Sequence, residues 1–119
     1  MKVFVYWNLH KKVWSVKALQ GLQKGRVVAH RNDVMIENAE FRVSEAGRQR
    51  VLREKRKNVH AGVVGEWVDS PLQTLESAHH VTYNPYKYES FVFANTDEPV
   101  YNAGVARCVT VDGKGCIFV

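Results

Sequence analysis

Apolar and polar residues alternate over several short stretches of the chain, a pattern typical of β-strands with one buried face. Residues 3–7 and 13–18 are rich in β-branched and aromatic side chains, and a polar turn at 8–11 separates them. They predict an N-terminal hairpin. Three further strands are predicted from apolar runs at 26–29, 34–36 and 40–43. Residues 1–43 are therefore predicted to form a β-meander.

The apolar spacing changes after this meander, and residues 44–58 predict one basic helix. Ser44 can cap its first turn, because a serine hydroxyl accepts a hydrogen bond from a first-turn amide. Ala46, Val51 and Leu52 form a narrow apolar stripe, so only one edge of the helix can pack on a core. Asn58 is the predicted stop.

The most regular strand pattern covers residues 59–68 and contains two glycines, Gly62 and Gly65. Glycine weakens a strand and often marks a place where another backbone or a ligand approaches closely. A β-bulge or a crossing point in a sheet is the alternative, and the sequence leaves both open.

The C-terminal part predicts an antiparallel sheet of about four strands over residues 59–119, with a helical turn at 72–77. Its last hairpin turns at Asp112-Gly113, a favoured pair for a two-residue loop. That loop sets Cys108 and Cys116 on opposite faces, so we expect two free thiols. The chain as a whole is predicted to be a single α+β domain made of meander, basic helix and C-terminal sheet.

With 119 residues, 45% hydrophobic and 24% charged, the composition is that of an ordinary globular domain. No apolar run reaches the length of a membrane helix, and the N-terminus lacks the pattern of a secretory signal. We therefore expect a cytoplasmic protein without membrane contact.

Positive charge is concentrated in one stretch. Residues 42–60, here called the basic segment, contain seven Lys or Arg and two acidic residues, a local charge of +5 that equals the net charge of the whole chain. Clustered charge of this sign favours a polyanionic partner such as RNA, DNA, a nucleotide or an acidic protein surface. A solvated helix face without a partner is the alternative. The candidate ligand-binding residues of the segment are Arg48, Arg50, Arg53, Arg56 and Lys57.

No motif indicates a metal or a cofactor. The chain has neither a Cys-x-x-Cys pair nor two histidines at helical spacing, and a phosphate-binding glycine loop is missing. His79 and His80 are adjacent, so on a strand they point to opposite faces. We expect no cofactor and no metal site.

The remaining polar residues suit phosphodiester chemistry without a metal. Such a reaction needs a base, an acid and a cation for the charge that develops on phosphate, and histidine serves as base or acid near neutral pH. The candidates are His60, His79, His80, Lys87 and Ser90, with Tyr83, Tyr86 and Tyr88 as stacking surfaces. Antiparallel pairing of the strands at 60–68 and 81–92 would bring His60 near Lys87 and Ser90. Structural histidines and a lysine packed on tyrosine rings are the alternatives, and the three tryptophans are expected in the core.

Two segments carry a resemblance to a known group. Lys-Asn-Val-His-Ala-Gly-Val-Val-Gly (57–65) and Val-Thr-Tyr-Asn-Pro-Tyr-Lys-Tyr-Glu-Ser-Phe-Val (81–92) resemble the compact nuclease domains of the barnase–EndoU–colicin–RelE group, and the second is similar to segments of small phage proteins. The resemblance covers residues 44–119. It implies that His60 is the base, that His79 or His80 is the second histidine, and that Lys87 and Ser90 contact phosphate. It also implies a phage accessory protein that disables or diverts host machinery, and hence a location in the host cytoplasm.

Two hypotheses follow for the function. In the first, the protein is a metal-independent phosphodiesterase or ribonuclease. In the second, it binds nucleic acid or a cyclic nucleotide without chemistry, or docks its basic helix on an acidic host protein as an inhibitor. The sequence narrowly favours binding of nucleic acid or a nucleotide, and leaves cleavage open.

Overall fold

The computed structural model describes residues 1–68 and 78–119; the predicted helical turn at 72–77 lies outside the described residues. The elements of the described chain are β1 (Lys2–Asn8), β2 (Val13–Ala18), β3 (Val27–Arg31), β4 (Asp33–Val43), α1 (Glu45–Glu54), β5 (Ala61–Val68), β6 (His80–Thr82), β7 (Val92–Phe93), β8 (Asn102–Val111) and β9 (Lys114–Phe118).

The nine strands of the described residues belong to one antiparallel sheet, in the order β3-β2-β1-β5-β4-β8-β9-β6-β7. The predicted α+β fold with a separate four-stranded C-terminal sheet is therefore wrong. Of the predicted N-terminal meander only β1, β2 and β3 pair in sequence, because β4 leaves β3 and inserts between β5 and β8. β4 thus joins the two halves of the chain, which local patterns alone could not reveal.

Strand β4 also replaces two predicted short strands. Its polar middle, read from the sequence as a break, is a bulge: the register shifts between Glu37 and Glu40, and Asn38 has φ of 51°. Asparagine tolerates this left-handed conformation better than most residues. The ladder continues on both sides of the bulge, so one strand of 11 residues runs from Asp33 to Val43.

The sheet curls so that strands far apart in its order come together. The indole Nε1 of Trp14 in β2 donates a hydrogen bond of 2.9 Å to the carbonyl oxygen of Val109 in β8. Gly115 in β9 lies against the rings of both Trp7 and Trp14. One core of mostly β-branched side chains from β1, β2, β4, β5, β6, β8 and β9 fills the space enclosed by the curl.

Both glycines of β5 are required by close backbone approach. A Cβ on Gly62 would meet the carbonyl oxygen of Val5 and the ring of Phe4, and one on Gly65 would meet Ile36 and the carbonyl oxygen of Glu37. Of the two explanations that the sequence left open, close approach by a neighbouring strand therefore holds. Strand β1 crowds Gly62, and strand β4 crowds Gly65.

The C-terminal hairpin follows its prediction. Asp112 and Gly113 have φ of 50° and 74°, as a two-residue turn of this type requires. Val109 lies opposite Cys116 and Cys108 opposite Ile117, so the cysteines are on different faces and both thiols are free. Burial raises the pKa of the Cys108 thiol, which keeps it neutral.

Helix α1 connects β4 to β5. The predicted cap is present, with the backbone N–H of Gly47 donating to Ser44 Oγ over 3.2 Å. The helix ends earlier than predicted, at Glu54, because Lys55 takes a left-handed conformation with φ of 55° and closes the last turn on Val51. Residues 55–60 then return without regular structure to β5, and Ser44 N donates to the carbonyl oxygen of His60 over 2.7 Å.

Candidate functional site

A pocket of about 520 Å³ opens between α1, the start of β5 and the turn that follows β6. His60 lies in its wall, with Lys57 and Asn58 on one side and Tyr83 and Tyr86 on the other. The full lining is Trp7, Leu9, Val51, Lys57, Asn58, Val59, His60, Ala61, Thr82, Tyr83, Asn84, Pro85 and Tyr86. We call this space the first pocket.

His60 is fixed at both ring nitrogens. Nδ1 lies 2.8 Å from the carbonyl oxygen of Asn58, and Nε2 lies 2.6 Å from the hydroxyl of Tyr83. A carbonyl oxygen only accepts, so Nδ1 carries the proton of the neutral ring and Nε2 accepts from Tyr83. The hydrogen bonds therefore assign one tautomer and one orientation to the imidazole.

Tyr83 links this histidine to the core. Its ring packs on Phe91 with 5.1 Å between centroids, and Phe91 in turn packs on Phe41 of β4. Burial raises the pKa of Tyr83 to about 12, an effect partly opposed by the positive charge of Arg48. The hydroxyl therefore stays protonated and available as a donor to His60 at neutral pH.

The turn at residues 84–88 forms the outer wall. Asn84 Oδ1 accepts from the backbone N–H of Tyr86 over 3.0 Å, and the carbonyl oxygen of Asn84 accepts from Tyr88 N over 2.7 Å. These bonds hold the turn in shape while the Tyr86 side chain stays 61% exposed. Tyr86 thus presents an exposed aromatic ring on a hydrogen-bonded turn at the rim of the pocket.

Arg48 holds this turn to the helix. Its Nε donates to the carbonyl oxygens of Pro85 and Tyr88 over 3.0 and 3.1 Å, and its Nη1 pairs with Glu45 at 3.1 Å. Hydrogen bonding from Gln49 and the charges of Arg48 and His60 lower the pKa of Glu45. The Arg48 side chain is only 12% exposed, so it serves as a tether within the fold.

Arg42 and Lys55 of the basic segment are exposed, and so are its four other candidate ligand-binding cations. Within residues 1–68 and 78–119, no salt bridge reaches these four. We call them the outer cations: Arg50, Arg53, Arg56 and Lys57. Lys57 also lines the first pocket, so the basic segment contributes a cation to the pocket wall.

Of the five predicted catalytic residues, only His60 lines the first pocket. Strand β5 pairs with β1 and β4, so the pairing expected to place Lys87 and Ser90 beside His60 does not occur. Lys87 Nζ lies 5.2 Å from the ring centroid of Tyr88, and the Tyr88 hydroxyl donates to Asp97. A hydrogen bond with Tyr88 raises the pKa of Lys87. Ser90 Oγ is 3.5 Å from the carbonyl oxygen of Phe91. Neither residue, nor Tyr88, lines the first pocket.

Neither of the two adjacent histidines lines the first pocket, but His80 lines a second pocket that adjoins it. His79 meets the ring of Phe93 at 6.1 Å between centroids, and His80 meets Phe118 at 5.3 Å. Among the described residues, no hydrogen bond joins either of them to His60. Their catalytic roles stay predictions.

Sequence reasoning overlooked Trp7. It was expected in the core, as Trp14 is, but Trp7 is only partly buried and lines the first pocket. Its position at the end of β1, next to the polar turn at 8–11, was the available signal. In the described part of the chain, no group of three or more His, Cys, Asp or Glu side chains is placed to hold a metal ion.

Comparison with known proteins decides the family. The family model described as the Mycobacterium phage L5 gene 82 protein matches residues 1–117. The gene 82 protein of Mycobacterium phage L5 is 44% identical over 109 residues, which cover 87% of this chain and 86% of that protein. The chain belongs to the phage L5 gene 82 protein family.

The resemblance to small phage proteins is thus confirmed, and this gene 82 family protein is a phage protein. The comparisons provide no link to the barnase–EndoU–colicin–RelE nucleases. No solved structure matches the protein. Among the described residues of this family member, no helix is long and apolar enough to cross a membrane.

Proposed function

We propose that this phage protein binds single-stranded nucleic acid in the cytoplasm of the infected host. Phosphates contact the outer cations, and a base enters the first pocket. The observation that carries the proposal is that Lys57, one of four exposed cations of the basic segment, also lines an aromatic-walled pocket. Proteins that bind single strands combine these two features, a positive surface along the backbone and aromatic rings under the bases.

The pocket favours nucleic acid over an acidic protein surface. An acidic protein needs only the cations, whereas a base also uses the exposed ring of Tyr86 and the indole of Trp7. The side-chain amides of Asn58 and Asn84 add polar groups to the wall, which can hydrogen-bond to the edge of a base. Docking on an acidic host protein is the competing function.

Binding is better supported than cleavage. A general base needs a free nitrogen within reach of the proton it removes, and Nε2 of His60 already accepts from Tyr83. The cation that lines the pocket, Lys57, comes from the basic segment, while Lys87 and Ser90 do not line it. Cleavage by His60 stays a prediction from the sequence.

Fluorescence anisotropy with labelled single-stranded RNA and DNA, over a series of salt concentrations, tests the proposal. Each phosphate contact on a single strand contributes about 0.7 to the slope of log affinity against log salt. Replacing all four outer cations with glutamine should therefore reduce this slope by up to about 3. The matched control is Lys24→Gln with Arg26→Gln, two exposed cations outside the basic segment, which should leave the slope unchanged.

Two further measurements test the base site and distinguish binding from cleavage. Tyr86→Ala should weaken binding about 5- to 100-fold, the effect of losing one stacked base; an unchanged affinity would contradict the base site. Incubation with EDTA should leave the oligonucleotide intact. Cleavage that disappears in His60→Ala would replace binding alone with a histidine-dependent phosphodiesterase, and no affinity for any strand would refute the proposal.

A further inference from the structure

A second pocket of about 380 Å³ adjoins the first. The two share Trp7, Ala61, Thr82 and Tyr83 in their linings. Because the two pockets have these four lining residues in common, we treat them as the two ends of one groove. The groove runs between β1 and β5 on one side and the strands that curl over them, β6 and β9, on the other.

Two exposed lysines, Lys12 and Lys114, line the far end of the groove. They come from different hairpins, which the curl of the sheet brings together. Lys12 occupies the β1–β2 turn with φ of 54°, and a Cβ on Gly113 of the β8–β9 turn would lie 3.9 Å from its Cδ. In the described residues neither lysine takes part in a salt bridge. The far end is therefore positively charged, as the near end is.

Trp7 lies where the two pockets meet, and Trp14 lines the second pocket. Trp7 and Trp14 pack edge to face at 5.3 Å between centroids, and a Cβ on Gly115 would meet both rings. The indole N–H of Trp14 is bonded to Val109. That of Trp7 has no hydrogen-bond partner among the described residues. Trp14 is thus held by the fold, while Trp7 offers both a ring face and a donor to a ligand in the groove.

We infer that the groove extends the binding site to a second nucleotide, so that the ligand is a single strand of at least two nucleotides. This inference rests on the proposed function. One base occupies each pocket, Trp7 lies between them, and Lys12 and Lys114 contact a phosphate beyond the second base. A mononucleotide would fill one pocket and leave the far lysines unused. Alternating cations and aromatic surfaces along a groove suit the repeating phosphate and base of a single strand.

The test compares oligonucleotide lengths. Affinity is measured for single-stranded RNA and DNA, from the mononucleotide to about ten nucleotides, a length within the usual range of single-strand sites. Wild-type affinity should rise steeply between one and a few nucleotides. Lys12→Gln with Lys114→Gln should lower the salt slope for the longest strand by about 1.4 and leave the mononucleotide unaffected. The RNA and DNA arms show which strand the groove prefers.

Lys11→Gln is the matched control, because Lys11 neighbours Lys12 but contacts His30 at 3.3 Å and does not line the groove. Trp7→Phe provides a second readout: fluorescence quenching by the long strand should be reduced in this variant, and thermal unfolding should confirm that it folds. If the double lysine variant keeps the wild-type slope while the outer-cation variant loses affinity, the groove is refuted and the proposed function stands. If the wild type binds no strand, the proposed function itself fails.

Discussion

Both sides of helix α1 carry arginines, but the arginine on one side is bonded within the fold and those on the other side are exposed. On the inner side, Arg48 is nearly buried and donates to two carbonyl oxygens of the 84–88 turn. On the outer side, Arg50 and Arg53 face solvent. Residues three apart on a helix share a face, as Arg50 and Arg53 do, whereas residues two apart, such as Arg48 and Arg50, lie on different faces. Neighbouring arginines of one basic segment therefore either hold the fold together or remain free to contact a ligand. Local charge alone does not distinguish them.

The largest expected effect concerns Arg48. Arg48→Ala removes a charged donor shared by two carbonyl oxygens, and hydrogen bonds to charged groups contribute about 1.5 to 3 kcal/mol. We expect the free energy of unfolding to fall by about 2 to 3 kcal/mol, measured by urea denaturation. Arg50→Ala, on the outer side, should change it by less than about 0.5 kcal/mol while weakening nucleic-acid binding. Equal destabilisation by both variants would remove the distinction between the two sides.

The next prediction concerns the side of helix α1 that packs on His60, at Gly47. An alanine inside a helix normally stabilises it relative to glycine by about 0.5 to 1 kcal/mol. At Gly47, however, the added Cβ would lie 2.6 Å from the Cβ of His60, so the helix and the histidine must move apart. Gly47→Ala should therefore destabilise the protein by about 1 to 2 kcal/mol and weaken binding at the first pocket. Gly104→Ala is the control, since a Cβ there meets nothing within 4 Å; a stabilised Gly47→Ala would show that the contact is loose.

Tyr83 gives the smallest of these effects and a specific pH dependence. Burial raises its pKa from 10.0 to about 12, so between these values the unfolded chain releases the proton while the folded protein keeps it. Stability should therefore fall as pH rises through this window. Tyr83→Phe should cost about 1 kcal/mol at neutral pH, because His60 Nε2 loses its donor, and should lose less stability than the wild type at alkaline pH. Denaturation curves at a series of pH values measure both; parallel pH profiles would show that Tyr83 is not the responsible group.

Sequence patterns predicted the local features of the candidate site but not its assembly. His60, Tyr83, Tyr86 and the outer cations were named from residue type and clustering, and the structure places His60 and the two tyrosines around one pocket. Trp7, Lys12 and Lys114 were missed because they come from strands and turns distant in the chain. Lys87 and Ser90 were grouped with His60 on an assumed pairing of β5 that the fold does not contain.

The sequence by itself determined the features that depend on a few neighbouring residues. These include the Ser44 cap, the Asp112-Gly113 turn with the register of its hairpin, and the concentration of charge in the basic segment. Only the tertiary structure decided the strand order, the place of β4 between β5 and β8, and the groove beneath the curled sheet. The physical reason is that a strand's alternation specifies which face is buried but not which strand lies beside it. That choice depends on how side chains from the whole chain pack into one core.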